Sequence, residues 1–309
     1  MVAPLPTPSL AWAAPAEANR PANHEARAPR REPHLRLVPP TVVLDPVLRQ
    51  RDPDAIRRLF SPLARVIDTY FRAEVEGVEH LTDGRSMLVS THNGGFVMPD
   101  LQALMVAFWR RFGLETPGYG LIHRIVLRMP VVGSLAGKVG AIEASSDNAR
   151  KVLRAGYPLL VCPGGDVDAL KPFSQRHRIV FGQRRGFIRL AIEQQVPIIP
   201  VISVGAHEIF FILNDGRRLA DSSRLARWLR VKSIPLALSF PFGLTLAALL
   251  SVPLPSKVRV RVLPRIELGE KPSAAKDPAV VERCFEHVRR TMQHSLDQLA
   301  AQRSRVLLG

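Results

Sequence analysis

Short apolar runs of strand length, separated by stretches of helical period, constrain this chain more than any other feature. The runs are FRAEVEGV (71–78), SMLVST (86–91), GAIEAS (140–145), PLLVCP (158–163), PIIPVISV (197–204) and KVRVRVL (257–263). Ahead of them, in 54–71, Ile56, Leu59, Phe60, Leu63, Val66, Ile67 and Tyr70 recur at three- and four-residue steps, which predicts an amphipathic helix. Further helical patterns lie near 100–111, 146–155, 184–195 and 278–303. Strands and helices alternating in this way predict an α/β domain with a largely parallel, mixed sheet flanked by helices. Sheets of this kind carry their chemistry in loops just past the carboxyl ends of strands.

Ten of the 27 prolines fall in the first 46 residues, where large apolar side chains are few. That composition buries too little surface to offset chain entropy, so a flexible Pro/Ala/Arg-rich tail is expected over 1–46 and a single domain over 47–309. Two cysteines, Cys162 and Cys284, exclude a disulfide framework and a four-cysteine zinc site, which makes a reducing compartment the default.

The formal net charge of +16 calls for a polyanionic neighbour. Between Lys171 and Lys232 there are 12 basic residues and four acidic ones. In DSSRLARWLRVK (221–232), a helical projection puts Arg224, Arg227 and Arg230 along one side and Trp228 off it, a pattern that fits an anionic membrane surface or a solvated helix. The next 24 residues, Ser233–Ser256, carry no charge. Pro235, Pro241, Pro253 and Pro255 interrupt them, so a buried or interfacial segment is expected rather than a continuous span. These features together predict a peripheral protein on the cytoplasmic face of a membrane.

Two loops stand out. SMLVSTHNGGFVMPD (86–100) delivers His92 at the end of an apolar strand, followed by Asn93, Gly94 and Gly95, with Asp100 at the start of the next helix. An imidazole titrates near neutrality and suits proton removal from a substrate hydroxyl, and a carboxylate on its far nitrogen would orient it. Asp100 is the nearest downstream candidate for that carboxylate, with Asp166 and Asp168 as alternatives. Taken alone, a histidine in this position is more often a loop-capping group, and Asp100 is a favoured helix cap whatever the chemistry. The second loop, LLVCPGGDVDALKPF (159–173), repeats the design with Pro163, Gly164 and Gly165. Its successive glycines suit either a tight turn or an anion-binding backbone.

Other classes fit less well. A nucleic-acid binder would explain the charge, but there are only three Trp and three Tyr for stacking and no reader motif. An α/β-hydrolase needs GxSxG, and VGSLAG (132–137) has the wrong spacing. Without that serine, one-step transfer is favoured over a covalent intermediate.

In order and content, AEVEGVEHL (73–81), STHNGGFVMPD (90–100), GAIEAS (140–145), CPGGDVDAL (162–170), GQRRGFIRLA (182–191) and VPIIPVISVGAHEIF (196–210) resemble the phospholipid/glycerol acyltransferases, nearest the mono- and diacylglycerol acyltransferase-like branch. The resemblance implies acyl transfer from acyl-coenzyme A or acyl carrier protein to a lipid hydroxyl, with the thioester as co-substrate and neither cofactor nor metal. It implies His92 as general base and Asp100 as its partner. Asn93, Gly94, Gly95, Pro163, Gly164, Gly165 and Asp168 would form the substrate and oxyanion region, Asp168 standing where this branch usually carries Glu. Arg184, Arg185 and Arg189 would be placed for coenzyme A phosphates. Seven residues lie between His92 and Asp100, against four in much of the family. Members that acylate phosphate-bearing acceptors carry arginines where this chain has Ser145 and Val167, which favours a neutral acceptor. A lysophosphatidate acyltransferase of the same family and a non-catalytic basic lipid-binding protein are the alternatives.

Overall fold

The computed structural model describes residues 45–95, 97–214, 236–239, 243–246 and 252–303. In chain order the strands are β1 (Glu74–Glu76), β2 (Ser86–Ser90), β3 (Tyr119–Ile122), β4 (Ala141–Glu143), β5 (Pro158–Val161), β6 (Ile198–Val204), β7 (Phe211–Asn214), β8 (Leu236–Ser239), β9 (Gly243–Leu246) and β10 (Arg259–Val262). Seven of them form one sheet in the order β1-β10-β6-β2-β5-β3-β4. From β6 to β4 every pairing is parallel; β10 joins β6 antiparallel and carries β1 alongside it. The expected α/β class, with a largely parallel mixed sheet, is the one observed.

Strand pleating explains why both faces need cover. In β2, Met87 and Val89 enter one core and Leu88 the other; in β6, Ile198, Ile202 and Val204 oppose Ile199 and Val201. The first face packs beneath α5 (Ser146–Arg154), α7 (Gly186–Gln194) and α8 (Pro278–Ala301), the last through Val281, Phe285, Val288, Met292, Leu296 and Leu299. The second face lies under α1 (Pro53–Arg65) and α2 (Pro99–Phe112). Helix starts are written in the sequence: Asp52 caps α1 with Pro53 behind it, Ser145 caps α5, and Asp277 with Pro278 opens α8.

The run 71–78 yields strand only at Glu74–Glu76. Upstream, the Phe71 N–H closes onto the Val66 carbonyl and prolongs the helical turn; downstream, Gly77 sits at φ 72 and ends the strand. β3 and the crossover helices α3 (Arg124–Leu127) and α4 (Val132–Lys138) were not anticipated, because GYGLI is too short and too glycine-rich to read as a strand. The described parts of Ser233–Ser256 include β8 and β9, which extend β7 into a three-stranded antiparallel sheet. Among the described residues no helix is long and apolar enough to cross a membrane. Arg224, Arg227, Trp228 and Arg230 lie outside the described residues, as does most of the expected tail.

Candidate active site

The loops after β2, β5 and β6 emerge side by side, because those strands are adjacent and parallel. They carry His92, the Pro163-Gly164-Gly165 turn and His207-Glu208 respectively. The third of these was not singled out from sequence; a histidine-glutamate pair just past a buried strand was the available signal.

His92 is half-buried, and its main-chain N–H donates to Asp168 Oδ2 at 2.8 Å. Asp168, fully buried in α6 (Gly165–Ala169), also accepts from Lys171 Nζ at 2.8 Å. Lys171 is itself 2% exposed and donates a second bond to the Arg178 carbonyl. Its own carbonyl meets His207 Nε2 at 2.7 Å, so that nitrogen carries the hydrogen and Nδ1 the lone pair. One buried ion pair therefore ties three loops together. Burial, then the charge of Lys171, pushes the His207 imidazole down to about 3, keeping it neutral.

Asp100 does not reach the His92 ring. Ser203 Oγ donates to its Oδ2 at 2.6 Å, Asn93 Nδ2 lies 3.2 Å from the same oxygen, and the Leu101 N–H donates to Oδ1. The pleat of β6 explains the arrangement: Ser203 follows Ile199 and Val201 on the face beneath α2, where Asp100 begins the helix. The extra residues between His92 and Asp100 include Gly94 and Gly95 at φ 70 and 56. A side chain on Gly94 would strike the Ala206 carbonyl, so the loop is bent against the end of β6 and its carboxylate is carried under the sheet. Burial raises the Asp100 carboxyl to about 6 against these hydrogen bonds.

The charges acting on the His92 ring come instead from Asp168 and Asp166, which favour the imidazolium, and from Lys171, which opposes it. Burial is the largest influence and lowers the ring below its ordinary value. His92 Nδ1, Asn93 Oδ1 and His207 Nδ1 are all buried without a hydrogen-bond partner among the described residues. Unsatisfied buried polar atoms need a reason, and with Ser90 Oγ at the last residue of β2 four of them gather at the ends of two adjacent strands, which makes this the candidate site.

The glycine turn is held from outside. Arg184 donates to the Pro163 and Gly164 carbonyls at 3.1 and 2.9 Å and to Asp166 Oδ1 at 2.6 Å. A side chain on Gly165 would collide with that guanidinium, and one on Gly164 with Asp168. The Gly165 N–H closes the turn onto the Cys162 carbonyl at 3.1 Å, so that amide is engaged within the loop. Arg185 forks onto Glu282 at 2.7 and 2.9 Å and stacks over Phe285, fastening α8 to α7, while Arg184 and Arg189 are exposed. Burial, with the charges of Asp100 and Asp168, pushes the Cys162 thiol up, which keeps it from acting as a thiolate. Among the described residues no cluster of His, Cys, Asp and Glu could hold a metal ion.

A Mycobacterium tuberculosis protein described only as uncharacterized is 32% identical over 262 residues, spanning 84% of this chain and 70% of its own length. The diacylglycerol acyltransferase family model matches residues 121–243, which take in the glycine turn, Arg184 and His207. This chain belongs to the phospholipid/glycerol acyltransferase family, near its diacylglycerol acyltransferase branch. The acyltransferase is also 27% identical over 202 residues to a Mus musculus protein named as a DGAT1/2-independent enzyme synthesizing storage lipids, across 64% of this chain and 56% of that one. A solved Thermotoga maritima 1-acyl-sn-glycerophosphate acyltransferase aligns with it at TM-score 0.45 and 16% identity, over 80% of this chain and 87% of that one.

Proposed function

We propose that this acyltransferase moves a fatty acyl group from an acyl-coenzyme A or acyl carrier protein thioester to a neutral glycerolipid hydroxyl, with His92 as general base, while docked on the cytoplasmic face of an anionic membrane. The observation that carries the proposal is a half-buried imidazole at the carboxyl end of a central strand, with one ring nitrogen unpartnered. Burial keeps that ring neutral at physiological pH, the form that can take a proton. As the hydroxyl oxygen bonds to the thioester carbon, its proton passes to His92, the carbon–sulfur bond breaks, and the proton leaves with the thiolate. Asp168 and Asp166 stabilise the transient imidazolium through their charge.

Asp168 fixes the main chain of His92, and Lys171 fixes Asp168. Such positioning contributes alongside the base, whose own share is about 10²–10⁴ in rate. Ser145 supports a neutral acceptor. It is committed to capping α5, where it accepts from the Asn148 N–H at 3.1 Å, and it offers none of an arginine's forked donors to a phosphate. The test is purified protein with an acyl-coenzyme A and a panel of monoacylglycerol, diacylglycerol, long-chain alcohol and lysophosphatidate. Ester formation on the neutral acceptors, lost in His92→Ala with the fold intact, is the expected result. Undiminished synthesis in that variant removes the base, and preference for lysophosphatidate removes the neutral acceptor.

A further inference from the structure

Ten large apolar residues among those described are exposed, and five fall between positions 125 and 135: Ile125, Met129, Val131, Val132 and Leu135. Solvent-facing apolar residues are ordinary when scattered, but a contiguous group marks a contact surface. These five occupy α3, α4 and the turn between them, and Ile125 and Val131 are 65% and 71% exposed.

The local backbone holds them outward. Gly133 and Gly137 form the buried side of α4: a side chain on Gly133 would strike the Leu127 main chain, and one on Gly137 would press on Gln50. Small residues facing inward leave Val132 and Leu135, three positions apart, on the outer face. Val131 sits at φ 62, a conformation disfavoured for a β-branched residue, yet the turn around it is pinned by the Gly133 N–H on the Met129 carbonyl and the Leu135 N–H on the Val131 carbonyl. A valine kept in strain at the most exposed apolar position is a feature that surrounding structure has to maintain.

Charge identifies what covers this face. No acidic residue occurs between Glu115 and Glu143, while Arg124, Arg128 and Lys138 do. Arg124 is paired with Glu143, whereas Arg128 is exposed beside Met129. An apolar crest with Arg128 exposed beside it, and with Glu143 at its base already paired to Arg124, complements lipid headgroup phosphates with acyl chains beneath them. The placement agrees. α3 leaves the carboxyl end of β3, the edge that carries His92, and β3 lies two strands from β2, about 10 Å away.

We propose that the α3–α4 turn is a surface by which this protein rests on an anionic bilayer, with its five apolar side chains in the interface and Arg128 and Lys138 at the phosphates. The inference rests on the reading that the reactants are membrane lipids and adds where the protein meets them. The test is co-sedimentation of the full chain with vesicles of phosphatidylcholine containing rising fractions of phosphatidylglycerol. Wild type should bind increasingly as phosphatidylglycerol rises. Ile125→Asp/Val131→Asp should partition at least about tenfold less, and Arg128→Glu should lose most of the dependence on phosphatidylglycerol. Each variant is also assayed on a water-soluble short-chain acceptor, where activity should equal wild type; loss of vesicle binding alone thus tests the surface, and wild-type inactivity on every acceptor tests the underlying reading. Unchanged partitioning of both variants overturns the proposal. So does light scattering that shows wild type as a dimer which Ile125→Asp/Val131→Asp converts to monomer. Should the double aspartate variant fail to fold, Arg128→Glu at an exposed position decides the matter.

Discussion

The main-chain N–H of His92 donates to the Asp168 carboxylate at 2.8 Å, across 76 residues of sequence. The link joins the loop after one central strand to the loop after its neighbour, and Lys171 occupies the other oxygen of the same carboxylate. Replacing Asp168 with Asn leaves Lys171, 2% exposed, without its counter-charge. Loss of one partner of a buried pair costs about 3–5 kcal/mol. Thermal or denaturant unfolding of Asp168→Asn should show a loss of that order, and Asp168→Asn/Lys171→Met should recover part of it. A single variant as stable as wild type refutes the clamp.

The pH dependence of transfer follows from the surroundings of His92. Burial lowers the imidazole below its ordinary 6.5, so the ring is neutral at pH 7 and becomes protonated only as pH falls through its depressed value. Acyl transfer should therefore be flat above pH 7 and decline on an acid limb centred below 6.5. Asp168→Asn removes the attraction that favours the imidazolium, which should displace the limb further toward acid, in a kcat/KM profile on a soluble acceptor. A limb centred above 6.5 contradicts the assigned environment.

Much of this was legible in the sequence because it depends on local rules. β2, β5 and β6 announce themselves as apolar runs bounded by turns, and α8 by its Asp277-Pro278 start. His92 and the glycine turn follow, since a loop after a parallel strand can be located from that strand alone. Pairings across the sheet were not legible. Asp100 was the nearest carboxylate to His92 in sequence, but Ser203, 103 residues away, claims it, because the β6 pleat faces α2. Nor were the partners of Arg184 and Arg185, expected to face coenzyme A phosphates: Arg184 holds the Pro163 and Gly164 carbonyls and Asp166, and Arg185 holds Glu282, 97 residues on. The family match runs over 121–243 and starts downstream of His92, so it does not bear on the base.

Asp100 should register in stability rather than in the titration of His92. Its carboxyl is raised from 3.8 to about 6 by burial. Between those values the unfolded chain has released its proton while the folded chain keeps it, so stability falls as pH rises from about 4 to 6 and levels off above. The interval corresponds to about 3 kcal/mol. Asp100→Asn should remove most of that slope in unfolding measured from pH 4 to 7 while leaving the acid limb of the rate profile in place. A shifted limb would show that Asp100 acts on the imidazole after all.

Glu208 presents the last case, a carboxylate 1% exposed beside His207 at the end of β6. Arg176, His177 and Arg303 all approach it, and Arg303 reaches it from beyond the end of α8 while also donating to Ser256 Oγ at 3.0 Å. Arg303 thereby braces the loop that holds His207. In Arg303→Met the carboxylate keeps Arg176 but loses its most buried partner, so the cost should stay below that of an isolated buried charge, up to about 3 kcal/mol. Restoring charge in Arg303→Lys should recover only part of it, since an ammonium cannot serve Glu208 and Ser256 together with a planar fork. Denaturant unfolding of the two variants checks the ordering. Equal stability of wild type and Arg303→Met would show that the α8 terminus contributes nothing to this end of the sheet.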